Sequence, residues 1–214
     1  MDQQQETLYV ALDVEASGHK LGVHEMLSVG CCAVSREEFD HAGYALRGLL
    51  FYAELKPRTL CNAIDAMRVG CLHLECLEEL RRQDHRYDSL HARFEPALVL
   101  EHMQKVCEEP AAASWRLAAW LKGLRADRAL IPVVDTVFFD SGFISLWLAK
   151  SGVDSPFGHA GRDLKSVYQG FTRRRQARLE EIRVPRCDKP HKADHDAVEL
   201  AQKARVLLFE NMKW

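Results

Sequence analysis

LYVALDVEASG, residues 8–18, is the stretch that decides the fold. Its apolar start is rich in residues that favour β-strands, and Gly18 favours a turn after the strand. Because side chains alternate along a strand, Asp13 and Glu15 share one face and Val14 faces the other way. Two carboxylates at the end of a buried strand need compensation, which a bound divalent metal ion would supply. A solvated acidic strand end would need no metal, and this stretch alone leaves both interpretations open.

The composition is that of an ordinary globular protein. The chain has 214 residues, of which 47% are apolar and 28% charged, which is enough for one sizeable core. The net charge is −2, so any contact with nucleic acid has to come from a local basic patch. The polar N-terminus has no features of a signal peptide, and no apolar run approaches the roughly 20 residues of a membrane span.

The cysteines indicate a reducing compartment. The chain has seven, and none of them form a C-x-x-C pair. An odd number scattered along the chain favours free thiols, so we expect an intracellular protein of the cytoplasm or nucleus. Cys71, His73 and Cys76 lie close together in sequence, but no second ligand pair follows at zinc-site spacing, so incidental or buried thiols are the better interpretation.

Three strands are predicted in succession, in the opening stretch, at residues 26–34 and at residues 49–55. Short turn-like links between them are typical of an antiparallel meander. From residue 96 onward apolar residues recur at helical spacing, with one more strand at residues 129–134. The last helix is predicted from Ala193 to about Asn211. This order indicates an α/β fold with a mixed sheet flanked by helices, in a single domain over residues 1–214.

Residues 60–92 have no clear pattern and are predicted to form short helices and loops. The very polar stretch from Arg81 to Arg93 indicates a mobile loop.

Two further acids stand at helix starts. Asp140 follows the strand and turn VVDTVF, where an N-cap is the simplest interpretation, and Asp135 at the strand end is a rival position. Asp196 borders the apolar stripe of the last helix, so it needs a partner there. Asp194 lies off that stripe and is predicted to be an N-cap or a solvated group.

His191 lies in the loop before the last helix, directly after Pro190. A loop histidine there can fold back toward Asp196, although a hydrogen-bonded or exposed imidazole is the alternative. His195, next to Asp196, points to another face and is predicted to be incidental.

Taken together, YVALDVEASG, FFDSGF and HKADHDA resemble the DEDDh group of 3′–5′ exonucleases, which have a ribonuclease-H-like fold. The resemblance runs from residue 8 to about residue 205 and covers residues 60–110 poorly, which marks them as a family-variable segment. Two departures stand out. Asp135-Thr136 replaces the His-Asn of many members, and the residues between His191 and Asp196 are more charged than usual. The motif positions are Asp13, Glu15, Asp140, His191 and Asp196.

The resemblance implies phosphodiester hydrolysis by two divalent ions about 3.5–4 Å apart. Oxygen ligands favour Mg²⁺, with Mn²⁺ as a substitute. It implies that Asp13 bridges the ions, that Glu15 and Asp196 complete one site, and that Asp140 holds the other ion. His191 is implied as the general base, since imidazole titrates near pH ~6.5.

The resemblance also implies that the turn Ala16, Ser17 and Gly18 approaches the terminal nucleotide. The expected partners are single-stranded 3′ ends of DNA or RNA. A basic run from Arg173 to Lys192 fits phosphate binding, and a solvated helix face interleaved with Glu180 and Glu181 is the alternative.

Two other functions compete with the exonuclease. One is a catalytically inactive nucleic-acid-binding or interaction module on the same fold, although such a module has no physical reason to keep four clustered acids. The other is an enzyme that acts on a different phosphoester, such as a short oligonucleotide or a nucleotide conjugate.

Overall fold

β1 lies at the centre of a five-stranded mixed sheet. The computed structural model of the protein describes residues 7–214. The strand order is β3-β2-β1-β4-β5, with antiparallel pairs from β1 to β3 and parallel pairs from β1 through β4 to β5. The strands are β1 (Thr7–Ala16), β2 (Met26–Ala33), β3 (Leu50–Glu54), β4 (Ala129–Val134) and β5 (Arg162–Asp163). The predicted meander and mixed sheet are confirmed.

Helices cover both faces of this sheet and one end of it. The α-helices are α1 (His41–Leu46), α2 (Ile64–Gly70), α3 (Leu80–Gln83), α4 (Pro96–Val106), α5 (Pro110–Arg125), α6 (Gly142–Lys150), α7 (Leu164–Thr172) and α8 (Ala193–Ala204). The 3₁₀ turns are Glu75–Leu77, His85–Tyr87 and Leu179–Glu181, and the π-helical segments are Val137–Ser141 and Arg205–Asn211. None of the helices in the described range combines the length and apolar character needed to cross a membrane.

Both faces of β1 are buried, which explains its nearly continuous apolar sequence. Val10, Leu12 and Val14 pack on one side with α5 and α6. Tyr9 and Ala11 pack on the other side with α7 and α8. By the same alternation Asp13 and Glu15 fall on the α8 side, so the sheet itself directs both acids toward the last helix.

The parallel pairing of β1 and β4 brings a second chain segment to this place. Ala11 pairs with Val133, so β4 ends beside Asp13. The segment that carries Asp140 follows β4 directly and therefore lies at the same edge of the sheet. A register shift between Glu15 and Ala16 ends the regular pairing of β1 with β2 at the same edge.

Gly30 lets α8 approach the sheet closely. A Cβ atom at Gly30 would lie 2.0 Å from the carbonyl oxygen of Ala193, the first residue of α8. Gly30 is also the partner of Asp13 across the antiparallel pair. The start of α8 therefore rests directly on the backbone beside the first acidic residue.

Residues 64–107 form an ordered insert with a small core of their own, to which Leu27 of β2 contributes. The expectation of a mobile loop from Arg81 to Arg93 was wrong. The Arg81 guanidinium donates to the carbonyl oxygens of Leu72 and Leu74, and Arg68 donates to the carbonyl of Ser89. Partly buried hydrogen bonds from arginines to backbone carbonyls, which composition does not reveal, hold this polar stretch in place.

Candidate active site

The end of β1 holds two acids in a largely buried position. Glu15 is 9% exposed, and one carboxylate oxygen of Asp13, Oδ2, is buried without a hydrogen-bond partner. Burial, followed by the charges of Glu15 and three aspartates, raises the pKa of Asp13 well above its usual range. Burial and the charges of Asp196 and Asp140 raise the pKa of Glu15 to about 8.

Asp140 reaches this pair from the π-helical segment before α6. Its Oδ1 accepts a hydrogen bond of 3.3 Å from the backbone N–H of Val14, and the residue is 5% exposed. The N-cap interpretation was therefore wrong, because the side chain contacts β1 and makes no cap hydrogen bond. Burial raises the pKa of Asp140 to about 7. The rival Asp135 lies exposed at the rim of the same cleft.

Asp196 enters from the first turn of α8, where burial raises its pKa. Its Oδ2 accepts from the backbone N–H of His191 at 2.8 Å, and its Oδ1 accepts from the Cys187 thiol at 3.3 Å. The side chain thus fastens the loop that carries the histidine. His191 has a φ of 64°, a left-handed conformation that costs a residue with a Cβ about 1–3 kcal/mol.

The predicted residues converge on one cleft of about 340 Å³. Glu15, His191 and Asp196 each place a possible ligand atom within 4.8 Å of the other two. The cleft is lined by Asp13, Val14, Glu15, Ala16, Ala66, Val69, Asp135, Thr136, Phe139, Asp140, His191 and Asp196. The structure therefore brings together all five motif residues from β1, the segment after β4, and α8 with its preceding loop.

The donor set fits divalent cations. Four carboxylates share the site, and in residues 7–214 none of them forms a salt bridge with a lysine, arginine or histidine. The raised pKa values and the unpartnered Oδ2 of Asp13 describe the same deficit of positive charge. Hard oxygen ligands are the ones that Mg²⁺ and Mn²⁺ prefer.

Comparison with known proteins gives a consistent result. A 3′–5′ DNA exonuclease of Escherichia coli, Cap18, is 26% identical over 206 residues, which cover 94% of this chain and 91% of that protein. The nuclease domain of 3′hExo, a DEDDh family member solved with bound rAMP, has a TM-score of 0.66 at 13% identity and covers 100% of this chain and 96% of that one. This is the DEDDh exonuclease fold.

A third similarity is to part of a longer protein. E. coli Exonuclease I, in its zinc-bound complex with single-stranded DNA, has a TM-score of 0.63 at 13% identity and covers 98% of this chain but 42% of that one. A scan against models of protein families finds no match. The predicted resemblance to the DEDDh exonucleases and the ribonuclease-H-like fold class are confirmed.

Sequence analysis missed three residues that contribute to this cleft. Ala66 and Val69 of α2 form one wall, and Cys187 holds Asp196. α2 belongs to the insert, whose sequence has no pattern that links it to the acids. Cys187 lies nine positions before Asp196 in a loop, and no spacing rule connects the two.

Hydrogen bonds within the protein hold the turn after β1 in place. The Ser17 hydroxyl donates to the Cys61 carbonyl at 2.8 Å and accepts from the Glu25 N–H at 2.9 Å. A Cβ at Gly18 would lie 2.4 Å from the His24 ring, so packing of His24 is what requires a glycine there. Ala16 does line the cleft. Contact between residues 16–18 and a nucleotide stays a prediction.

Two predictions about the start of α8 were wrong. Asp194 is 4% exposed rather than solvated, with its Oδ2 2.8 Å from Nε2 of His41 and 3.3 Å from Nζ of Lys192. His195 is buried with its ring stacked on His41 at 3.9 Å, so it is not incidental to the packing. Lys192 is 5% exposed and does not belong to the exposed basic surface.

Proposed function

We propose that the chain is a metal-dependent 3′–5′ exonuclease that shortens single-stranded nucleic acid from its 3′ end. One observation carries this proposal: four buried or partly buried carboxylates meet His191 in one cleft, and in residues 7–214 none of the four forms a salt bridge with a lysine, arginine or histidine. A cleft that gathers uncompensated acids attracts divalent cations and needs them to bring a phosphate close. The similarity of the fold to that of 3′hExo, a DEDDh family member, supports this proposal.

We infer that the four carboxylates hold two Mg²⁺ ions, for which Mn²⁺ substitutes. Asp13 would contribute to both ions, Glu15 and Asp196 would complete one site, and Asp140 would hold the other ion. When bound, the ions supply an activated water and neutralise charge on the attacking and leaving oxygens. The chain's own part is to hold the acids in place. The Val14 N–H holds Asp140, and the Cys187 thiol and the His191 N–H hold Asp196.

His191 is proposed as the general base for the attacking water. Its ring is exposed at the cleft and has a ligand atom within 4.8 Å of those of Glu15 and Asp196. A neutral imidazole accepts a proton near neutral pH. The hydrogen bond from its backbone to Asp196 keeps the loop in the strained conformation that presents the ring to the cleft.

Single-stranded DNA is the favoured substrate, because Cap18 is named a DNA exonuclease and Exonuclease I was solved with single-stranded DNA. 3′hExo was solved with rAMP, so RNA belongs in the same test. We propose that exposed arginines after α7 bind the phosphates of the nucleic acid. They are Arg173, Arg175, Arg178, Arg183 and Arg186. All seven cysteines are free, which fits a reducing compartment such as the cytoplasm or nucleus.

A nuclease assay tests the proposal. DNA and RNA strands of the same sequence, labelled at the 5′ end, are incubated with the protein and Mg²⁺, or with chelator. We expect a ladder that shortens from the 3′ end and disappears with chelator. No cleavage of any strand, with the Asp13→Asn variant bound to DNA as tightly as the parent, would favour the inactive binding module. Hydrolysis of only short oligonucleotides or nucleotide conjugates would favour the other phosphoester enzyme.

The His191→Ala variant tests whether His191 acts as a general base or as a metal ligand. We expect kcat to fall by about 10²–10⁴-fold, the usual contribution of general-base catalysis, with Mg²⁺ affinity unchanged. The matched control is His159→Ala, which removes an exposed histidine that does not line the cleft. A loss of Mg²⁺ affinity in His191→Ala would instead make the imidazole a ligand, and full activity would remove it from the mechanism.

A further inference from the structure

A second group of metal-ligating side chains lies apart from the carboxylate cleft. Glu54 at the end of β3, Cys76 in the 3₁₀ turn Glu75–Leu77 and Cys107 at the end of α4 each place one ligand atom within 4.8 Å of the other two. All three are partly exposed, so solvent ions can reach them. None of them lines the carboxylate cleft.

We propose that Glu54, Cys76 and Cys107 bind a zinc ion that ties the insert to the edge of the sheet. Two thiolates and one carboxylate are ligands that zinc accepts in tetrahedral sites, at about 2.3 Å for sulfur and about 2.0–2.2 Å for oxygen. On binding, both thiols lose their protons to solvent and each sulfur donates an electron pair to the ion. A water molecule completes the fourth position.

The carboxylate of Glu54 is already oriented for this role. Its Oε1 accepts hydrogen bonds from the Tyr52 hydroxyl at 2.7 Å and from the Glu75 N–H, and its Oε2 accepts one from the Cys76 N–H at 3.0 Å. A carboxylate oxygen has two lone pairs, so Oε2 retains one for a metal. Such outer hydrogen bonds are what fix ligating carboxylates in metal sites.

The two thiols are also held in place. The backbone N–H of Glu108 donates to the Glu54 carbonyl at 3.1 Å, which fixes Cys107 beside the strand. The Cys76 thiol lies within hydrogen-bonding reach of both the Cys107 thiol and the Glu54 carboxylate. The three ligand atoms therefore already lie within 4.8 Å of one another in the fold.

The charge of the Glu54 carboxylate is not paired with a lysine or arginine of the described residues, so it can attract a metal cation. In residues 7–214 no lysine or arginine forms a salt bridge with Glu54. The nearby Lys192 ammonium is occupied by Glu75 at 2.6 Å and Asp194 at 3.3 Å. Thiolates select zinc over Mg²⁺, whereas the carboxylate cleft has the opposite preference, so the two sites are expected to sort the two metals.

Cobalt and zinc titrations test this site. The full chain, reduced and stripped of metal with chelator, receives Co²⁺ and then Zn²⁺. We expect one cobalt ion per chain to give a near-ultraviolet charge-transfer band from thiolate to metal, and Zn²⁺ to remove it. A carboxylate site gives no such band, so this readout is independent of nuclease activity. Absence of the band in the parent chain would overturn the proposal.

The variants assign the ligands. Cys76→Ser and Cys107→Ser should each lose the band and weaken zinc binding by more than about 100-fold, beyond the roughly 10–100-fold effect of an outer hydrogen-bond partner. Glu54→Gln should keep the band with weaker binding. The matched control Cys61→Ser removes an exposed thiol outside the group and should bind zinc as the parent does. Thermal melting of each variant confirms that it is folded.

Two results would overturn the assignment. One is a band that persists in both serine variants, because the thiolates would then lie elsewhere. The other is a Cys76–Cys107 disulfide in the protein purified without reductant, together with no bound zinc after reduction, because the pair would then be a redox couple.

Discussion

Asp194 and Asp196 lie two residues apart at the start of α8, and their environments are opposite. Burial works against the charge of Asp194, but the hydrogen bond from His41 and the charge of Lys192 outweigh it, so its pKa is lowered. Burial also works against the charge of Asp196, and hydrogen bonds from Cys187 and the His191 backbone offset it only in part, so its pKa is raised.

Asp194, a structural acid, and Asp196, the proposed metal ligand, differ in where their compensating positive charge comes from. Asp194 has its cation inside the fold, since the Lys192 ammonium is held between it and Glu75. Asp196 instead shares its cleft with four more acids, Asp13, Glu15, Asp135 and Asp140. A buried carboxylate that pairs with a cation of the protein stays ionised without help from solution, whereas a group of carboxylates without such a cation needs one from solution to be fully ionised.

The largest expected effect contrasts these two aspartates in catalysis. Asp196→Asn should lower kcat/KM by about 10³-fold or more, because it removes a ligand that acts on transition-state charge. Asp194→Asn should stay within a few-fold of the parent. Single-turnover assays on labelled DNA measure both. Equal losses in the two variants would mean that the contrast is not functional.

The next effect is on stability. Lys192→Met should destabilise the fold by about 3–5 kcal/mol, because Asp194 would remain buried with only His41 beside it. Urea unfolding at neutral pH gives the free energy. Lys189→Met, which removes an exposed lysine of the same loop, is the matched control and should change little. A neutral effect of Lys192→Met would show that the buried cation is dispensable.

Metal should stabilise the protein through the uncompensated acids alone. Mg²⁺ at about 100 times its Kd should raise the free energy of unfolding by about 2.7 kcal/mol, since it binds only the folded chain. Asp13→Asn should lose this gain and Asp194→Asn should keep it. Thermal melts with and without Mg²⁺ provide the measurement. A gain that survives in Asp13→Asn would place the stabilising ion elsewhere.

The smallest effect is a pH dependence of the metal-free protein. The pKa of Glu15 is raised from 4.5 to about 8, so between these values the folded state keeps a proton that the unfolded state has released. Stability therefore falls as pH rises, by about 2 kcal/mol from about pH 6 to about pH 7.5 for this one group. Glu15→Gln should flatten the slope by that amount in urea titrations. An unchanged slope would show that Glu15 is ionised throughout.

Much of the site was predictable because it depends on short-range rules. Strand alternation places Asp13 and Glu15 on one face, and the parallel pairing of β1 and β4 brings Asp140 to them. The five residues follow one another along the chain in the order typical of the DEDDh motifs, which is how the sequence analysis selected them. How His191 reaches the cleft was predictable only as a possibility, because its left-handed backbone depends on a hydrogen bond to Asp196.

The missed features depend on contacts between distant segments. Asp194 was expected in solvent because helical periodicity does not reveal His41, which lies 153 positions earlier. The insert was expected to be partly mobile because its order comes from arginines that bind backbone carbonyls. Residues such as Glu54, Cys76 and Cys107 come from three separate elements, and no local pattern unites them.

The contact between Gly30 and Ala193 has a consequence for building chimeras from related nucleases. The gap between the sheet and α8 is set where two backbones touch, without a side chain to adjust it. We therefore expect a transplanted α8 to position Asp196 correctly only if β2 has a glycine opposite Asp13. A chimera should therefore take β2 and α8 from the same parent, although some 160 residues of sequence separate them.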